Sequence, residues 1–217
     1  MERQVASWLR MRGRALRLFA PASLVLAGWL AFAGSEPSSA QAQASGARFE
    51  GVATCAGSTC HGRSEGNGAI VRQDEIASWQ EPSSASGAHS RAYSVLASRR
   101  GRQIAQSLGL GAATSAPACL GCHATYVPQS RRGARFHTSD GVGCESCHGA
   151  AEGWLQVHYE KGASHASNVR AGLVPLQDPQ VRAKVCLDCH YGSTKTGQFV
   201  THSMMAVGHP RISFELD

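Results

Sequence analysis

The sequence predicts a mainly α-helical fold with extensive irregular coil, wrapped around bound prosthetic groups instead of a large side-chain core. Three observations predict it. Aromatic residues make up only 6% of the 217 positions and glycine occurs 24 times, so a core of side chains alone would be thin. Helical periodicity comes in short stretches and strand alternation is weak throughout. The eight cysteines recur as pairs, and each pair is followed directly by a histidine.

Cys119-Leu120-Gly121-Cys122-His123, Cys144-Glu145-Ser146-Cys147-His148 and Cys186-Leu187-Asp188-Cys189-His190 all read Cys-x-x-Cys-His. This is the attachment signature of c-type haem. Two thiols three positions apart can each add to one vinyl group of a porphyrin. The histidine that follows is then held against the porphyrin face, where it can ligate the iron. Cys55-Ala56-Gly57-Ser58-Thr59-Cys60-His61 is a stretched copy with two extra residues between the thiols. Gly57 and Ser58 predict a local loop-out that still presents both thiols. Four disulfides would suit an exported chain, and paired thiols also build zinc ribbons. Neither explains the histidine after every pair. The expectation is four covalently attached haem c groups, bound through Cys55, Cys60, Cys119, Cys122, Cys144, Cys147, Cys186 and Cys189. His61, His123, His148 and His190 are the proximal iron ligands. Apolar porphyrin faces would then supply the buried surface that the side chains lack.

In chain order, residues 1–42 read as an export signal. Arg3, Arg10, Arg12, Arg14 and Arg17 precede an uncharged, largely apolar run over 18–34, and Ala40-Gln41-Ala42 or Ala42-Gln43-Ala44 offers a cleavage site. The run is short of the roughly 20 residues of a membrane span; an uncleaved anchor is the alternative. Either reading places the rest of the chain in the periplasm. Residues 43–50 are a linker and 51–217 the tetrahaem domain. A short helix is expected over 70–79, and the longest over 88–108, bent at Gly101 and stopped by Gly109 and Gly111. Another is expected over 151–161, stopped by Gly162. Asp178-Pro179 is a helix start, capping residue then proline, delivering the fourth site. The Arg131, Arg132, Arg135 cluster reads as a solvated face.

The formal net charge is +6. Five of the 21 basic residues sit in the export signal, and each haem brings two propionates. The basic balance is therefore no argument for nucleic-acid binding, and no motif for it is present.

Each iron has a second axial position. Outside the motifs lie His89, His137, His158, His165, His202 and His209, and past the export signal only Met204 and Met205. The expected distal ligands are His89, His158, His202, His209 and His165, a surplus for four positions. Mostly bis-His coordination follows, with low reduction potentials.

The run Gly141-Val142-Gly143-Cys144-Glu145-Ser146-Cys147-His148-Gly149, the Trp79…His89-x-x-Ala92-Tyr93 pattern and the four sites together resemble the tetrahaem cytochromes of the c-554 type. The segment 208–217 is similar to one in related multihaem cytochromes. The resemblance covers about 51–217 and implies electron transfer. It also implies close parallel haem pairs and, in some members, one five-coordinate haem; the surplus of histidines argues against the last here. The expected function is therefore that of a tetrahaem c-type cytochrome passing electrons between redox partner proteins, with no catalytic residue singled out. Two alternatives stand beside it. One is an oxidoreductase with one open haem acting on a small nitrogen or sulfur compound. The other is a haem subunit of a membrane complex or filament, associated with the membrane through the N-terminus.

Overall fold

The computed structural model describes residues 46–69, 71–84 and 87–211, all within the compact unit Ser39–Asp217. The expected export signal, residues 43–45 of the linker, Ile70, residues 85–86 and the residues after Arg211 lie outside the described residues. Short helices follow one another: α1 (Val52–Cys55), α2 (Glu75–Gln80), α3 (Gly87–Ser90), α4 (Arg99–Ser107), α5 (Pro117–His123), α6 (Cys144–His148), α7 (Leu155–His158), α8 (His165–Arg170), α9 (Pro179–His190) and α10 (His202–Ala206). Among the described residues there is no named strand, only isolated bridges at Phe49–Arg132 and Ser193–Gln198. No described helix is long and apolar enough to cross a membrane.

The long helix expected over 88–108 is divided. It becomes α3, a 3₁₀ turn at Ser94–Ala97, and α4. The break falls at Ser98 and not at Gly101. Ser98 is extended (φ −67°, ψ 164°), and its hydroxyl accepts from the Gly101 N–H at 3.0 Å. A residue spent as an N-cap cannot continue the preceding helix, so its capping chemistry overrides the apolar periodicity. The expected 151–161 helix is likewise reduced to a 3₁₀ turn and α7. α2 starts only after Gln73, which has the left-handed φ of 66°. The start at Asp178-Pro179 holds. The Asp178 carboxylate accepts from Gln180 N at 2.8 Å, and α9 runs beyond the expected Cys186 through the whole fourth motif.

The side-chain core is thin. Among the described residues no large side chain is fully buried. One small cluster joins Leu96, Ala105, Ala113, Leu120 and Ala124, and another joins Phe49, Val127 and Ala150. The arginine cluster is less solvated than its composition suggests. Arg131 lies over the Phe49 ring and donates to the Ala47 carbonyl, and Arg132 lies over Phe136 and donates to the Val127 carbonyl.

Candidate haem sites

Each regular motif occupies the end of a helix or a whole short one: α5, α6 and α9 finish on His123, His148 and His190. One helical turn brings the two thiols to one side and aims the following histidine off the same end. The stretched motif reaches a related result differently. α1 ends at Cys55, Cys60 N donates to the Gly57 carbonyl at 2.8 Å, and His61 N returns to the Cys55 carbonyl at 3.2 Å. The extra residues are looped out, and His61 is carried back beside the first thiol.

The motifs touch one another. α1 packs on α6, α6 on α9, and α5 on α9. The Cys55 and Cys144 thiols share a hydrogen bond that pushes Cys55 up and holds Cys144 down. Cys189 and Cys122 share another, with Cys189 pushed up and Cys122 held down. Burial pushes the Cys147 thiol to about 11. All eight cysteines are free thiols.

Three motif histidines each face a histidine from a distant part of the chain. Ring centres are 6.0 Å apart for His61 and His158, 6.0 Å for His89 and His190, and 6.2 Å for His123 and His209. The first pair is near parallel and the other two are edge-on. A metal bonded to both rings predicts nearly this spacing: two bonds of about 2 Å, plus roughly 1.1 Å from each nitrogen to its ring centre. The hydrogen bonds agree. His123 Nδ1 lies 2.8 Å from the Ala92 carbonyl, His209 Nδ1 2.8 Å from the Pro210 carbonyl, and His61 Nδ1 2.9 Å from Glu75 Oε2. Every one of these contacts is at Nδ1, which leaves Nε2 as the free lone pair. Burial pushes His89, His123, His148, His158 and His190 below the ordinary imidazole range, so they are neutral and suited to a metal at neutral pH.

Asn168 completes the pattern at His158. Its Nδ2 lies 3.3 Å from His158 Nδ1, and its buried Oδ1 has no partner among the described residues. A half-turn of the amide would let Oδ1 accept from a protonated Nδ1. Trp154, buried and edge-on to His158 at 5.5 Å, keeps its indole N–H unpartnered among the described residues, as does the buried Nε of Arg63. Unpaired buried donors suit the carboxylates of a porphyrin. Between His123 and His209 lies a cavity of about 300 Å³, walled by apolar side chains such as Leu96, Ile104 and Phe199, with Cys119 and Cys122 at its edge. Arg100 donates from Nε to the Gly208 carbonyl at 3.0 Å, tying down the residue before His209. The donor sets and the cavity fit haem. Among the described residues no group of three or more His, Cys, Asp or Glu gathers for a bare metal ion.

His148 differs. It lies near His61 and His158 with its side chain exposed, and no histidine ring faces it among the described residues. His165 and His202, expected as distal ligands, sit exposed at the first positions of α8 and α10, and His137 is exposed as well.

Glu145, inside the third motif, carries a role that the sequence did not signal. Its buried carboxylate accepts from the backbone N–H of Glu50 at 2.8 Å, Gly51 at 2.7 Å and Ala151 at 2.7 Å. Burial pushes this carboxyl above its ordinary range, and the three N–H donors pull against that. Gly51, with φ 87°, approaches so closely that a Cβ would lie 2.2 Å from the Arg135 carbonyl oxygen. The first and third sites are thereby bolted together.

Residues 54–149 match the family model of cytochrome c554 and c-prime. Over this stretch, somewhat under half of its length, the chain is similar to the cytochrome c family. The matched region holds the whole of the first three motifs and includes His89; the fourth motif lies beyond it. No curated protein and no solved structure matched the chain. The family carries covalently bound haem c and transfers electrons.

Proposed function

We propose that the chain is an exported tetrahaem c-type cytochrome that carries electrons between redox partner proteins in the periplasm. The observation that carries this reading is the set of three facing histidine pairs, whose ring centres, 6.0–6.2 Å apart, are spaced as two imidazoles on one metal atom would be. When bound, haem iron supplies reversible one-electron chemistry. The chain's residues do the rest. Eight thiols would tether the cofactors, and His61, His123, His148 and His190 would each ligate an iron. His158, His89 and His209 would supply the second histidine at the first, fourth and second sites. A filled pair keeps substrates off the metal and leaves electron transfer as its role. The contacts between α1, α6, α9 and α5 give the order of neighbours: first, third, fourth, second.

A second reading rests on His148, which has no facing histidine ring among the described residues. An open face there would let a small nitrogen or sulfur compound reach the third site. Ferric-state EPR on the holoprotein separates the two. Four low-spin haems support the carrier. A high-spin signal from one haem that changes with nitric oxide or hydroxylamine supports the open site. Fewer than four covalent haems by mass overturns the tetrahaem reading. Association with a membrane complex through the N-terminus is tested by fractionation of cells.

A further inference from the structure

The first and second sites stand at the two ends of the order first, third, fourth, second, and their motif histidines are held by different chemistry. His61 Nδ1 faces a carboxylate, Glu75 Oε2, at 2.9 Å. His123 Nδ1 faces a neutral carbonyl, that of Ala92, at 2.8 Å. On the opposite sides the partners are neutral in both cases, Asn168 for His158 and the Pro210 carbonyl for His209. The two ends thus differ by one negative charge on an axial imidazole.

The carboxylate is aimed by its surroundings. Glu75 Oε1 accepts from the Arg72 backbone N–H at 2.7 Å, which turns Oε2 toward His61. Gln73 takes the only left-handed φ among the described non-glycine residues, 66°, and its carbonyl accepts from Arg63 N at 2.8 Å. Ile76 N donates to the His61 carbonyl at 3.0 Å. Backbone in that sparsely populated region is held only where its surroundings over-determine it. Here they seat one carboxylate on one histidine. The neighbouring acid, Asp74, is occupied by Arg72 at 3.0 Å and is not available to His61 in that role.

We propose that Glu75 is a positioning and tuning residue that sets the first haem at a lower reduction potential than the second, so that electrons run downhill from the stretched motif toward the His123–His209 site. The inference rests on the tetrahaem carrier reading. A carboxylate accepting from Nδ1 draws the proton toward itself and gives the ring imidazolate character. A more basic ligand stabilises ferric over ferrous iron, and second-shell hydrogen bonding is one of the protein's levers on potential. A neutral carbonyl does this less. The Glu75 side chain is 44% exposed, so solvent screens part of its field, but the push through the hydrogen bond remains.

The test is potentiometry on the loaded protein, followed by optical and EPR spectra. Haem counting by mass comes first and judges the carrier reading separately. Glu75→Gln keeps the shape and removes the charge. It is expected to raise one of the low-potential waves by roughly tenfold in its reduction equilibrium, about 59 mV for one electron, with the low-spin spectrum retained. Glu75→Ala moves the same wave the same way. His209→Met marks the second haem by the wild-type wave it removes, and that wild-type wave is expected to lie above the one Glu75 controls. The proposal is overturned if neither Glu75 variant moves a wave, or if the wave they move lies above the one marked at His209. If the Glu75 variants fail to load haem, His209→Met alone decides: a marked wave that is the lowest of the set sinks the proposal, and one above the lowest supports it.

Discussion

The second and third sites share the Cys-x-x-Cys-His motif and differ in almost everything around it. The second has an opposite side. A cavity of about 300 Å³ is walled by α4, Phe199 and Met204, and His209 looks across it at His123. The third is defined from behind. Glu145 collects three backbone N–H groups, and Ser146 meets Thr125 at 2.7 Å, while no histidine ring faces His148 among the described residues. The motif thus specifies one face of a cofactor. What stands on the other face is decided by residues elsewhere in the chain. The third site is the junction, touching the first and the fourth, and the second is an end.

The largest test of this contrast is to withhold haem. Both sites lack a side-chain core able to replace it, so haem-free protein is expected to show no cooperative melt by circular dichroism. A sharp transition would mean that the Glu145 junction folds unaided. Next comes Glu145→Ala, which strands three buried donors at a cost of about 1–3 kcal/mol each. The loaded protein should lose several kcal/mol in urea titration, with the second site's spectrum intact. His209→Ala should convert a single haem to high-spin ferric, measured by EPR spin counting. His165→Ala and His202→Ala should convert none, and a conversion by either would give the third site its missing partner. Ser98→Ala is the smallest: loss of the cap at the head of α4 should cost about 1 kcal/mol, read as a lowered Tm.

The attachment motifs are legible because their chemistry is local. Two thiols and a histidine must be consecutive, so Cys119 to His123 announces itself. The facing histidines were legible only as a pool. His89, His158 and His209 were in it, yet so were His165 and His202, which stand exposed. Spacing cannot say which loop turns inward; Arg100 holding the Gly208 carbonyl can. Glu75, Glu145 and Asn168 were not legible at all, because their partners come from other segments. The helix over 88–108 breaks for a local reason: the capping hydroxyl of Ser98 outweighs the apolar stripe.

Each facing pair joins residues about a hundred positions apart, a separation that slows folding through the entropy of closing long loops. His61 waits for His158, His89 for His190, and His123 for His209. The three closures interleave along the chain, and each needs a residue in or beyond α7. Closure is therefore late: a chain halted before α7 would have none of these pairs closed.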